Sequence, residues 1–176
     1  MFVANVFLTL MLTIAGINAA PKVTIDVNFE YFCIDCKVFI GDQLYPTYKT
    51  LGDIFEYKLN TFSYGRFNKT TKPDGTFDLE FKNATQVAGT LIQSCAMEIM
   101  PQDQSLALLA CMFKSAQYDN ADVAGKQCAN ELNLKWEAIE ECAKGPLGRG
   151  LYLRGLEHME AVKPKITWFP WIIVNG

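Results

Sequence analysis

The segment Val23-Thr24-Ile25-Asp26-Val27-Asn28-Phe29-Glu30-Tyr31-Phe32 runs without a break into Cys33-Ile34-Asp35-Cys36. Its first part alternates β-branched and aromatic residues with polar ones, which predicts a strand over 23–32. Beyond the cysteines, Val38, Phe39, Leu44, Tyr45 and Tyr48 recur at helical spacing. They predict a helix over about 34–50, kinked at Pro46. Ile54 to Phe62 returns to period two through Phe55, Tyr57 and Leu59, a second strand. Strand, helix and strand make a βαβ unit, with a right-handed crossover expected.

The cysteine pair sits where the strand turns into the helix. Thiols at i and i+3 across a helix start lie close enough to close a small disulfide ring. The first meets unpaired backbone N–H groups and the positive end of the helix dipole, both of which favour a thiolate. Cys33 is therefore the expected nucleophile and Cys36 the thiol that resolves the mixed disulfide. Asp35, between them, places a negative charge that opposes thiolate formation. Two other readings compete. A zinc site needs two further ligands at comparable spacing, whereas the chain offers one histidine, His158, and single cysteines at 95, 111, 128 and 142. A purely structural disulfide at the turn is the stronger alternative.

Phe62 to Lys82 reads as a loop or hairpin, with turns at Tyr64-Gly65 and Pro73-Asp74-Gly75. From about 86 to 163 the pattern is helical, rich in Ala and Cys and punctuated by Pro101, Gly125, Gly145-Pro146 and Pro164; it predicts four or five short helices. Cys95, Cys111, Cys128 and Cys142 fall in this insert and can pair three ways as two structural disulfides. The stretch Trp168-Phe169-Pro170-Trp171-Ile172-Ile173-Val174 predicts a short buried strand, with Trp168 and Trp171 in the core or lining a groove. A βαβ half, a helical insert and a closing strand are the parts of an α/β, thioredoxin-type fold. In that fold a cis-proline before a strand faces the dithiol, the position that Pro170 occupies after Phe169.

The remaining signals concern compartment and partners. Residues 6–17 are apolar and uncharged, and small residues at Asn18-Ala19-Ala20 follow them. This predicts a signal peptide over 1–20, ahead of one domain over 21–176. An anchor helix is the competing reading, but a membrane span needs about 20 apolar residues. Asn68-Lys69-Thr70 and Asn83-Ala84-Thr85 are glycosylation sequons, credible in a secretory chain. A net charge of −3 and the lack of a Lys/Arg cluster argue against nucleic acid as a partner. His158, in Glu157-His158-Met159-Glu160, reads as a surface residue.

Together these residues resemble the gamma-interferon-inducible lysosomal thiol reductase family. The likeness runs through Cys33-X-X-Cys36, Leu44-Tyr45-Pro46-Thr47, Tyr64-Gly65, Cys95, Cys111-Met112, Cys128, Glu141-Cys142-Ala143, Gly145 to Gly148 and the block Phe169 to Gly176. It implies reduction of disulfide-bonded protein substrates in a secreted or endolysosomal lumen with no organic cofactor. An external thiol is the expected reductant that resets the pair, and the cysteine and histidine spacing speaks against a metal. Cys33 and Cys36 match the family's active-site pair and Pro170 its substrate-facing proline; Phe169 and Pro170 are the expected substrate-binding residues.

The chain departs from that pattern in two places. The family's Cys-Gln-His-Gly segment, followed by Glu-Cys and Asn, would fall just before Cys95. Here Phe81 to Thr90 holds neither cysteine nor histidine. A thioredoxin-like sheet also carries a further strand and helix after the position of Asn175-Gly176. The expectation is therefore an incomplete C-terminal edge covered by a partner or a second copy in a homodimer, or else a truncated sequence. Both departures, together with Asp35, favour a rival reading, a secreted thioredoxin-like protein that binds a protein or a cell surface with weak turnover or none.

Overall fold

The computed structural model describes residues 21–63, 67–74, 77–82 and 84–176. The expected leader over 1–20, the Tyr64-Gly65 turn and the Asn83 acceptor lie outside the described residues.

Strand β1 spans Val23–Phe29 and β2 spans Phe55–Thr61, paired in parallel from Val23↔Phe55 to Phe29↔Thr61. Strand β5, Trp171–Val174, runs antiparallel along the other side of β1, giving the sheet order β2-β1-β5. The central position of β1 explains why its alternation fails at the end. Val27, Asn28 and Phe29 are all fully buried, because both faces of the strand are covered there. β5 is less buried than expected: its alternate residues Ile172 and Val174 are 40% and 56% exposed. Only β1 flanks it among the described strands, and one of its faces meets solvent.

The helical run after Cys33 has an unexpected middle. α1, Ile34–Val38, passes through a π-helical turn, Phe39–Leu44, into α2, Tyr45–Leu51. The Tyr45 amide donates to the Ile40 carbonyl, five residues back. Pro46 has no N–H, and its ring would strike the carbonyl of Asp42 in a regular helix. Widening the preceding turn removes that clash, so the expected disturbance is a π turn placed ahead of the proline.

Phe67–Thr71 and Phe77–Phe81 form an antiparallel pair, β3 and β4. Five helices follow among the described residues: α3 (Ala84–Ile99), α4 (Gln102–Lys114), α5 (Ala121–Glu131), α6 (Trp136–Lys144) and α7 (Pro146–Ala161). α3 and α7 run for 16 residues each, longer than the short helices expected. Pro146 opens α7 where its missing N–H costs nothing, and Asn120 caps α5 through its Oδ1. Disulfides Cys95–Cys142 and Cys111–Cys128 staple α3 to α6 and α4 to α5.

Two apolar clusters hold these parts together. The larger joins Val27, Phe29 and Tyr31 to Cys36, Ile40 and the buried faces of α3 to α6. The smaller joins Phe62, Leu79 and Val87 to Tyr152, Leu153 and Met159 of α7. Burying each large side chain contributes about 2 kcal/mol. α7 reaches the sheet because Gly155 bears no side chain: a Cβ there would lie 2.7 Å from the Thr61 carbonyl oxygen. The consequence for function is positional. The end of β1 delivers Cys33 to the start of α1, and the chain returning into β5 passes in front of it.

Candidate functional site

Cys33 occupies the N-cap of α1 in extended conformation, with φ −113° and ψ 117°. Its Sγ accepts a hydrogen bond from the Cys36 amide at 3.2 Å, one of the orphan donors of a helix start. The side chain is half-buried and therefore within reach of a partner in solution. Cys36 lies one turn further in and is fully buried. Burial, followed by the hydrogen bond to Cys33, pushes the Cys36 thiol far above its ordinary range, so it stays protonated. The two thiols are free, unlike the other four cysteines.

The returning chain completes the site. The Phe169–Pro170 bond is cis, as is Lys163–Pro164. The Phe169 carbonyl oxygen lies 3.6 Å from Cys33 Sγ, placed to accept from the thiol. Cys33, Cys36, Phe169 and Pro170 are thus brought together across a separation of 136 residues. Around them the surface is apolar. Ile34 and Val38, four residues apart on α1, are 66% and 43% exposed, and Trp168 is 69% exposed. Trp168 is therefore no core residue, which leaves the groove-lining reading of the two.

One side of the site comes from a residue that sequence reasoning passed over. Tyr118, between α4 and α5, packs its ring edge-on to Phe32 at 5.6 Å and carries the Lys37 ammonium 4.4 Å above it. Its phenol ionises far above the ordinary range, first through burial and then through the neighbouring Cys33 and Cys36 thiols. Nothing in the local pattern around Tyr118 marks it.

The other residues singled out lie elsewhere. Asn68 is exposed on β3, its amide 3.5 Å from Glu80. His158 is not a free surface residue: it is half-buried on α7, and its Nε2 bonds Asn28 Oδ1 at 3.0 Å. Ligand atoms of Cys111, Cys128 and Glu131 lie within 4.8 Å of one another, but the two sulfurs are bonded to each other and cannot coordinate a metal. The stretch in place of the Cys-Gln-His-Gly segment forms the end of β4 and the start of α3, where Val87 is fully buried in the smaller core.

Residues 24–132 match the family described as gamma interferon inducible lysosomal thiol reductase. Among curated proteins, the chain is 26% identical over 161 residues to the gamma-interferon-inducible lysosomal thiol reductase of Carassius auratus, covering 90% of this chain and 61% of that one. A gamma-interferon-inducible lysosomal thiol reductase-like protein of Anopheles gambiae is 28% identical over 141 residues, covering 74% and 58%. The chain thus spans about three-fifths of the length of these relatives. Among solved structures, oxidised BdbD from Bacillus subtilis superposes with a TM-score of 0.62 at 16% identity, covering 87% of this chain and 76% of that one. DsbA from Chlamydia trachomatis gives a TM-score of 0.62 at 10% identity, covering 89% and 78%. The fold is thioredoxin-like, with a helical, disulfide-stapled insert.

Proposed function

The chain belongs to the gamma interferon inducible lysosomal thiol reductase family, and from that membership we propose that it reduces disulfides of protein substrates through Cys33 and Cys36. The carrying observation is the geometry of the pair: a half-exposed sulfur at a helix start, backed by a buried, protonated thiol one turn away. The Cys33 thiolate attacks one sulfur of a substrate disulfide, forming a mixed disulfide and expelling the other sulfur as a thiolate. Cys36 then gives up its proton and attacks Cys33 Sγ, releasing the second substrate thiol and leaving a Cys33–Cys36 disulfide. An external thiol, consumed as two equivalents, returns the pair to the dithiol. The order of attack follows from access, since Cys36 is reached only from within.

Phe169 and Pro170 are the expected substrate contacts, because that turn faces Cys33 across an apolar rim. The setting we assign is a secreted or endolysosomal lumen. The apolar segment over 6–17 and the sequon at exposed Asn68 support it, and no described helix is long and apolar enough to cross a membrane. On this reading residues 1–20 are a leader, 21–176 one domain, and Asn68 and Asn83 carry glycans. The open side of β5 supports pairing with a second copy, read out as a dimer in sizing experiments.

Insulin-disulfide reduction at acidic and neutral pH, comparing wild type with Cys33→Ser, tests the reading. Wild type reduces insulin and the variant does not. Equal rates would leave the rival, a binding protein on the same scaffold.

A further inference from the structure

Asn28 stands in the middle of the sheet yet is polar and fully buried. A buried amide is retained without penalty only when both of its ends are bonded. Here both are. Its Nδ2 donates to the Trp171 carbonyl at 3.4 Å, and its Oδ1 faces His158 Nε2 at 3.0 Å. Because Oδ1 can only accept, His158 Nε2 is the donor, which sets the imidazole tautomer.

The place of these bonds gives them a use. Asn28↔Trp171 is the last rung between β1 and β5, and Trp171 directly follows Pro170. Pro170 has no N–H, so it cannot donate to a further rung. The Asn28 side chain supplies an extra tie at that point. His158 keeps the tie aimed, linking α7 to the sheet over a separation of 130 residues. Directly on the other side of Pro170, the Phe169 carbonyl oxygen sits 3.6 Å from Cys33 Sγ.

We propose that Asn28 and His158 are positioning residues: they hold the Phe169–Pro170 turn against Cys33 and so set the groove through which a polypeptide disulfide reaches the thiol. This rests on the thiol–disulfide reading above. A small disulfide needs Cys33 but no groove, so the two substrate sizes respond differently. His158 borders a cleft of about 370 Å³, shared with Asn60, Ser94 and Arg154, from which water can reach the space that truncation leaves.

The test compares wild type, His158→Ala and His158→Gln, the last keeping an N–H donor. Two quantities are read: kcat/KM for insulin and for a small aromatic disulfide, and amide hydrogen exchange over 171–174. We expect His158→Ala to lower kcat/KM for insulin about tenfold, leave the small disulfide within about twofold, and speed exchange in β5 but not in β2. His158→Gln recovers most of both effects. A parallel loss on the two substrates, or unchanged exchange in β5, would overturn the positioning role. A wild type inactive on both substrates removes the enzymatic reading, and the β5 exchange still decides whether His158 holds the turn.

Discussion

Tyr31 and Tyr118 exchange hydrogen bonds: the Tyr31 phenol donates to the Tyr118 carbonyl at 2.8 Å, and the Tyr118 phenol donates back to the Tyr31 carbonyl. Their rings lie 4.9 Å apart, with Phe113 stacked on Tyr31 at 5.6 Å. The helical insert is thereby locked to the end of β1, two residues before Cys33. Tyr118→Phe keeps the ring and removes one donor, leaving a carbonyl without that partner. We expect a loss of about 1–2 kcal/mol in urea unfolding, with the Cys111–Cys128 disulfide still formed.

The same contact explains a glycine. A Cβ at Gly89 would lie 2.2 Å from Cδ1 of Tyr31, a distance no side-chain adjustment of Tyr31 within this packed site absorbs cheaply. Gly89→Ala is expected to cost about 3 kcal/mol by overpacking, measured by thermal unfolding. The double variant with Tyr31→Ala recovers part of the added cost of the methyl group, since the clashing ring is gone.

Alkaline pH weakens the fold through three phenols. Tyr31, Tyr57 and Tyr118 each donate to a buried or half-buried carbonyl, and burial is the leading cause that raises each above the ordinary value of 10.0. The unfolded chain releases these protons first, so it binds fewer protons than the folded one above that value. Stability is therefore fully present below about pH 10 and falls as pH rises beyond it, by up to about 1.4 kcal/mol per pH unit for each phenol. Urea midpoints measured from neutral to strongly alkaline pH check this, and Tyr57→Phe should make the decline shallower.

The two disulfides contribute unequally. Cys95–Cys142 closes 47 residues and Cys111–Cys128 closes 17. Loop-closure entropy then assigns about 4 kcal/mol to the first and about 3 kcal/mol to the second. Paired Cys→Ala variants, compared by urea unfolding, are expected to rank in that order.

How much of this was legible in the chain follows from the range of the interactions. The β1 strand, the dithiol and β2 were readable because strand alternation and cysteine spacing are local. The π turn before Pro46 was visible only as a disturbance, since a proline marks trouble without saying how the backbone absorbs it. The disulfide connectivity, the Tyr31–Tyr118 exchange and the Asn28–His158 bond join residues far apart, and no local pattern carries them. His158 was misread for that reason: its charged neighbours Glu157 and Glu160 face water, while its own ring turns inward to Asn28. For Trp168 the sequence leaves core and groove both open, because an aromatic beside an apolar strand suits either, and only its exposure decides against the core.

The most direct test of the account is capture of the mixed disulfide. Cys36→Ala leaves Cys33 exposed to substrate but removes the thiol that resolves the intermediate. Incubated with insulin and analysed by non-reducing mass spectrometry, this variant is predicted to accumulate an adduct mapping to Cys33, which Cys33→Ser does not form and which free thiol dissolves. An adduct at another cysteine, or none where wild type reduces insulin, would contradict the assignment of Cys33 as nucleophile and Cys36 as resolving thiol.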